Sequence, residues 1–251
     1  MDLGLKDRCA LVTAASKGLG RACAEALIAE GARVFISSRD PDATAREIHA
    51  AGSKAADVSR PGEPEALIEA ASTALGGLDV LIANAGGPPP GTFQTTPVEA
   101  WESAFNLTLM SAVRLVHAAL PHLKQSDQGR VVFITSISVR QPLPNLVMSN
   151  ALRAAVTGLS KTLARELAPD GITFNCVAPD AILTDRIRHL AGGEGEQLEE
   201  RLRQNAERLP MKRYGTPAEF AAACVFLCSR QAAYISGQTL GVDGASLLGV
   251  H

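Results

Sequence analysis

Three side chains near the middle of the chain have the makings of an oxyanion site. Ser136 directly follows an apolar run at residues 130–135 (Arg-Val-Val-Phe-Ile-Thr), and Ser149 and Arg153 lie in the long helical pattern that comes next. Positions 149 and 153 are four apart, so their side chains share one helix face. A hydroxyl at a strand's carboxyl end, opposite a hydroxyl and a guanidinium on a helix, can polarise a substrate oxygen and stabilise negative charge on it. The same set is poor at moving a proton. An aliphatic hydroxyl is about as weak an acid as bulk water, near 15.7, and a guanidinium stays protonated.

The elements that must position these groups can be read from the pattern. Residues 8–13 form a short apolar run leading into Thr13-Ala-Ala-Ser-Lys-Gly18-Leu-Gly20, then a helical pattern ending at Gly31, then a second strand at 33–37. Strand, glycine turn, helix and strand make a βαβ unit whose helix amino terminus faces an anionic group, glycines letting the backbone approach a pyrophosphate. Further along, helices are expected at 41–51, 63–75, 101–123 and 147–168, alternating with strands at 54–58, 78–83, 130–135 and 172–177 and a last strand within 235–244. Alternation of this kind predicts α/β architecture: a single doubly wound, Rossmann-type domain spanning 1–251, with a seven-stranded parallel sheet and helices on both faces.

Several function classes are disfavoured. Net charge is −2, with one Trp and two Tyr, which provides neither a basic stripe nor a stacking platform for nucleic acid. The first residues contain no apolar core of a signal peptide, and no run of eighteen uncharged apolar residues occurs, so a cytoplasmic protein with no membrane partner is expected. Five cysteines without a Cys-x-x-Cys pair, and no His-Glu-x-x-His run, predict no metal site; Cys224 and Cys228 share a helix face as packing residues.

The glycine turn resembles the Thr-Gly-x-x-x-Gly-x-Gly fingerprint of the short-chain dehydrogenase/reductase family, with Thr13, Gly18 and Gly20 in place and Ala14 at the first glycine. Asn84-Ala85-Gly86 matches that family's Asn-Ala-Gly triplet, and Pro179 to Thr184 resembles its Pro-Gly-x-x-x-Thr loop, with Asp180 at the glycine. The likeness runs from about residue 6 to 245 and extends to 3-oxoacyl-(acyl-carrier-protein) reductase-like members. It implies a dinucleotide held by Thr13, Ser16, Lys17, Gly18, Leu19, Gly20, Ser38, Arg39, Asp57, Val58, Asn84, Ala85, Gly86, Arg153, Pro179 and Thr184. About twenty residues beyond the turn stands Ser38-Arg39 rather than an acid, and with Lys17 this favours NADP(H) over NAD(H), Asp40 partly offsetting the charge.

The resemblance also implies hydride exchange between nicotinamide and a carbonyl or alcohol, with Ser136 binding the substrate oxygen and Asn106 ordering a relay water. The family's tyrosine and lysine should stand at 149 and 153, where this chain has Ser149 and Arg153. Replacing a phenol of pKa about 10 by an aliphatic hydroxyl costs roughly 7 kcal/mol in acidity. Three readings stay open. The first is an atypical NADP(H)-linked oxidoreductase with Ser136, Asn106, Ser149 and Arg153 at the site, its proton coming from water or from a lid residue such as His189. The second is a redox-inactive dinucleotide-binding subunit or sensor. The third is a lyase or cyclase using the same pocket. Residues 185–213, highly charged and carrying Gly192, Gly193 and Gly195, are expected to form the lid. The helices at 99–123 and 147–168, the second with small Ala151, Ala154, Ala155 and Gly158, are expected to join copies into a homodimer or homotetramer.

Overall fold

Apolar runs with no polar face belong in a sheet covered on both sides. Residues 80–83 (Val-Leu-Ile-Ala) and 130–134 (Arg-Val-Val-Phe-Ile) are of this kind, and both become strands buried at every position. The computed structural model describes residues 1–249. Its strands are β1 (Cys9–Val12), β2 (Arg33–Ser38), β3 (Gly52–Ala55), β4 (Val80–Ala83), β5 (Arg130–Ile134), β6 (Thr173–Pro179) and β7 (Thr239–Val242). All seven pair in parallel, in the order 3-2-1-4-5-6-7, as the alternating pattern predicts.

The helices are α1 (Gly18–Ala29), α2 (Asp42–Glu47), α3 (Glu63–Leu75), α4 (Val98–Phe105), α5 (Ser111–Leu123), α6 (Val147–Glu166), α7 (Asp185–Ala191), α8 (Gly195–Arg208) and α9 (Pro217–Cys228). Alternate strand residues feed two cores. Val132 and Ile134 join Val12, Leu27, Phe220 and Cys224 on one face, while Val131 and Phe133 join Leu11, Leu67, Leu115 and Val156 on the other. Strand order reverses between β1 and β4, and the crevice at the carboxyl ends there is where an open α/β sheet binds ligands.

The boundaries differ from expectation in two informative places. β3 ends at Ala55, before Asp57 and Val58, instead of running to 58. The Ala56 amide makes the last bond to β2, at the Ser38 carbonyl (2.9 Å). The Asp57 carboxylate then closes a turn on the Ser59 amide (3.1 Å) and hydroxyl (2.6 Å), and a residue whose side chain captures the next amides leaves the ladder. The helix expected at 101–123 begins earlier, after Pro97, and is interrupted by a π-helical turn at Asn106–Met110. Val98–Leu123 as a whole is long and apolar enough to cross a membrane by length and composition alone, although Glu99, Glu102 and Arg114 break it into shorter uncharged runs. Here it packs against α3 and α6.

Candidate active site

The glycine turn is built by the backbone. Ala14 takes φ +48°, a left-handed conformation that costs a non-glycine residue about 1–2 kcal/mol. It is held there because its carbonyl accepts from the Asn84 side-chain amide (3.3 Å) and the next amide, Ala15, donates to the Ser37 carbonyl (2.9 Å). Thr13 stitches β1 to β4: its hydroxyl donates to the Asn84 carbonyl (2.6 Å) and accepts from the Asn84 amide (2.8 Å). A Cβ on Gly20 would sit 2.4 Å from the Ala14 carbonyl oxygen, so only glycine fits where α1 passes the turn. Gly18 has φ +58°, and a Cβ added there would lie 3.8 Å from the Thr184 methyl, so the loop after β6 passes over the turn. These features suit a dinucleotide's pyrophosphate.

The adenosine end is cationic. Lys17, the N-terminal flank of α1, is exposed, as is Arg39 after β2. Among the described residues neither forms an ion pair. Asp57 lies close to Arg39, and its carboxyl is held below the usual range by the Ser59 hydroxyl first, with Arg60 and Arg39 adding charge. Val58 and Ser38 are buried beside it, and the Ser16 carbonyl accepts from the Thr44 hydroxyl (3.0 Å). Leu19 lies in the first turn of α1, Ala85 and Gly86 follow β4, and Pro179 closes β6.

At the other side of the crevice, Ser136 follows β5 and its hydroxyl oxygen accepts from the Ser138 amide (3.2 Å), capping a short 3-10 turn. That bond leaves the hydroxyl hydrogen free to donate. Ser149 is buried on α6, which packs against that turn. One turn further, Arg153 Nη1 donates to the Ile134 (2.8 Å) and Thr135 (3.1 Å) carbonyls. The guanidinium thus lies across the end of β5, beside Ser136. Burial, and then the charge of Arg186, pulls its pKa down to about 10, so it remains a cation at neutral pH. Beneath it is a small enclosed cavity of about 20 Å³, lined by Asn84, Thr108, Ser111, Thr135 and Arg153 among others, enough for one water. The buried Thr108 hydroxyl has no protein partner.

Asn106 is not part of this group. Its amide donates to the Glu102 carbonyl (3.1 Å) and its oxygen accepts from Arg114 (3.2 Å), along an outer groove lined by Trp101, Phe105, Met110 and Leu152. The π-helical turn starting at Asn106 offsets the register of the side chains around it. Asp180 directly follows β6, its amide donating to the Val242 carbonyl (3.1 Å). It lies against the Ser246 hydroxyl and near Asp243, and burial raises its pKa. His189 is exposed in the last turn of α7, Tyr234 is fully exposed, and Tyr214 is half-buried next to the Ile182–Gly215 bridge.

Two contributors escaped the sequence reading. Asn150 pins the loop before α6, donating to the Leu143 carbonyl (2.9 Å) and accepting from the Leu143 amide (3.3 Å); its place beside Ser149 was the available signal. Arg186 crosses from α7 to the loop after β4, donating to the Pro88 carbonyl (3.3 Å), with its guanidinium packed on Gly87. A basic residue two places after Thr184 was the only hint. No cluster of three or more metal-ligating side chains occurs among the described residues.

A family model described as Enoyl-(Acyl carrier protein) reductase matches residues 13–245. The 3-oxoacyl-(acyl-carrier-protein) reductase of Vibrio cholerae is 35% identical over 246 residues, covering 96% of this chain and 98% of that protein. Dehydrogenase/reductase SDR family member 4 of Bos taurus is 33% identical, covering 97% of this chain and 88% of that protein. Among solved structures, L-sorbose reductase from Gluconobacter frateurii, complexed with NADPH and L-sorbose, superposes with a TM-score of 0.92 at 32% identity and covers all of both chains.

Proposed function

From the premise that the chain belongs to the short-chain dehydrogenase/reductase family and is an NAD(P)-dependent oxidoreductase, we propose that it uses NADP(H) to interconvert a carbonyl and an alcohol through a site that stabilises charge rather than relays protons. The observation that carries this reading is the Arg153 guanidinium on the Ile134 and Thr135 carbonyls, beside a Ser136 hydroxyl free to donate.

A nicotinamide cofactor supplies and accepts hydride. What the chain's own residues do is orient and stabilise. The Gly18 to Gly20 turn and the α1 amides cradle the pyrophosphate, Thr184 closes over it, and Lys17 with Arg39 favours a 2′-phosphate. Support for NADP(H) comes from those two exposed cations and from the NADPH bound by the L-sorbose reductase. Ser136 donates to the substrate oxygen, Ser149 offers a second hydroxyl, and Arg153 supplies a fixed positive charge for the oxyanion. Solvent delivers the proton, because neither Ser149 nor Arg153 can do so near neutral pH; His189, exposed on α7, is the lid side chain to set against it. Residues 185–213, carrying α7 and α8, act as the lid over a single domain, and Asn106 serves the outer helix surface. The exposed face of Ala151, Ala154, Ala155 and Gly158, together with exposed Phe105, supports a homodimer or homotetramer assembled through α4–α5 and α6. We place the protein in the cytoplasm, acting on a small molecule, without nucleic acid or membrane partners.

The test is NADPH oxidation by purified protein with a panel of ketones, sugars and 3-oxoacyl thioesters. Turnover above background on at least one member is expected. NADPH binding with no oxidation across the panel would favour a redox-inactive subunit instead.

A further inference from the structure

Two arginines of the 185–213 segment are paired with acids inside it. Arg188 is neutralised by Glu199 (2.7 Å) and Arg203 by Glu200 (2.8 Å), all on the surface of the same segment. Arg186 turns the other way and reaches over the crevice to the loop after β4. There a Cβ on Gly87 would lie 2.6 Å from its Nη2 and 2.7 Å from its Cζ, so the absence of a side chain at 87 is what admits the guanidinium. Among the described residues one hydrogen bond, to the Pro88 carbonyl, holds it.

Arg153 faces it from the other wall. Its Nη1 is committed to the two β5 carbonyls, while among the described residues Nε and Nη2 have no acceptor, and neither arginine has an acidic partner. Desolvation lowers the pKa of both, and the charge of Arg186 lowers that of Arg153 further. Two like charges close together repel each other, and among the described residues no acid offsets them: Asp185, next to Arg186, is exposed in the first turn of α7, and Asp180 lies near Ser246 and Asp243. An anion between them would remove that repulsion and give each guanidinium the planar, two-oxygen acceptor it prefers. The dinucleotide's own diphosphate has a separate seat at Gly18–Gly20, on the α1 amides.

We propose that Arg153 and Arg186 form a two-guanidinium seat for an anionic group on the substrate, a carboxylate or phosphate a few bonds from the reacting carbonyl beside Ser136. The inference rests on the oxidoreductase reading and narrows its substrate class to oxo acids and their phosphorylated counterparts.

The test is a binding experiment with NADP+-loaded full-length protein, in which no reduction can occur. Pyruvate, acetoacetate and levulinate are titrated calorimetrically, each beside its neutral methyl ester. At least one acid is expected to bind about tenfold or more tightly than its ester. R186Q should erase that difference while changing ester and NADPH affinity less than about twofold, and G87A, by displacing the guanidinium, should weaken the acid in the same direction. R186K should restore part of the preference, as a point charge without the fork. Equal binding of every acid and its ester would overturn the seat, as would an R186Q variant that keeps the preference. So would one that weakens NADPH while leaving the acid-to-ester ratio intact, since Arg186 would then serve the cofactor. Acid preference without any turnover in the ketone panel would sink the redox reading and leave the seat standing.

Discussion

The β1–β4 side of the crevice and the β5–α6 side are built by opposite means. On the first, backbone makes the site: the turn after β1 is held by Thr13, Asn84 and the Ser37 carbonyl, and Gly20 packs so closely that no side chain fits. On the second, side chains make it, and Ser136 and Arg153 are partly engaged by the main chain. Ser136 caps a turn and Arg153 grips the end of β5. A backbone cradle tolerates wide change in its side chains, Ala14 included, and still binds. A side-chain site changes its chemistry with each substitution. On the proposed reading, this contrast lets one half keep a dinucleotide while the other exchanges proton transfer for fixed charge.

The comparison is most sharply probed by rebuilding the second half. Ser149→Tyr together with Arg153→Lys should raise kcat/KM for carbonyl reduction by about 100-fold or more, the usual worth of a positioned acid, while NADPH affinity changes little. A fall in activity would mean the native pair is already the better catalyst. A smaller effect is expected on the first half, where Lys17→Ala with Arg39→Ala should weaken NADPH by about 10-fold to 100-fold, as for lost charge-assisted bonds, and leave NADH unchanged. Equal loss of both would show that these cations do not read the 2′-phosphate. Comparable in energy, but read out in stability, is Gly20→Ala, which should cost about 1–3 kcal/mol through overpacking against the Ala14 carbonyl and lower affinity for NADPH and NADH alike. An unchanged melting temperature would contradict the close packing seen there.

The fold was legible because its signals are local. Apolar runs at 80–83 and 130–134 have no polar face, Glu63 to Leu75 is bounded by glycines at 62 and 76, and the glycine turn sits between a strand and a helix, where it must meet a ligand. Ser136, Ser149 and Arg153 could be grouped because a strand end and a four-residue helical spacing place them. What stayed hidden depends on long-range contact. The end of β3 is set by the Asp57 side chain capturing amides of its own loop. The π-helical turn at Asn106–Met110 is a register change that no 3.6-residue periodicity contains. Arg186 meets Gly87, 99 positions earlier in the chain, only because α7 folds back over the crevice.

The central claim is that the second half stabilises charge and transfers no proton of its own. It is tested most directly by the single-turnover rate of NADPH consumption against pH, in H2O and in D2O. Ser136 and Ser149 do not titrate in the working range, and Arg153, lowered to about 10, stays cationic below it. If hydride transfer to the stabilised oxyanion precedes the proton from water, the rate should be level from about pH 6 to pH 9 with no solvent isotope effect, declining only as pH rises through about 10 and Arg153 loses its charge. His189→Ala should leave that profile unchanged. A rate that falls through a single titration between pH 6 and 9, accompanied by a solvent isotope effect, would show a protein acid delivering the proton and would contradict the account.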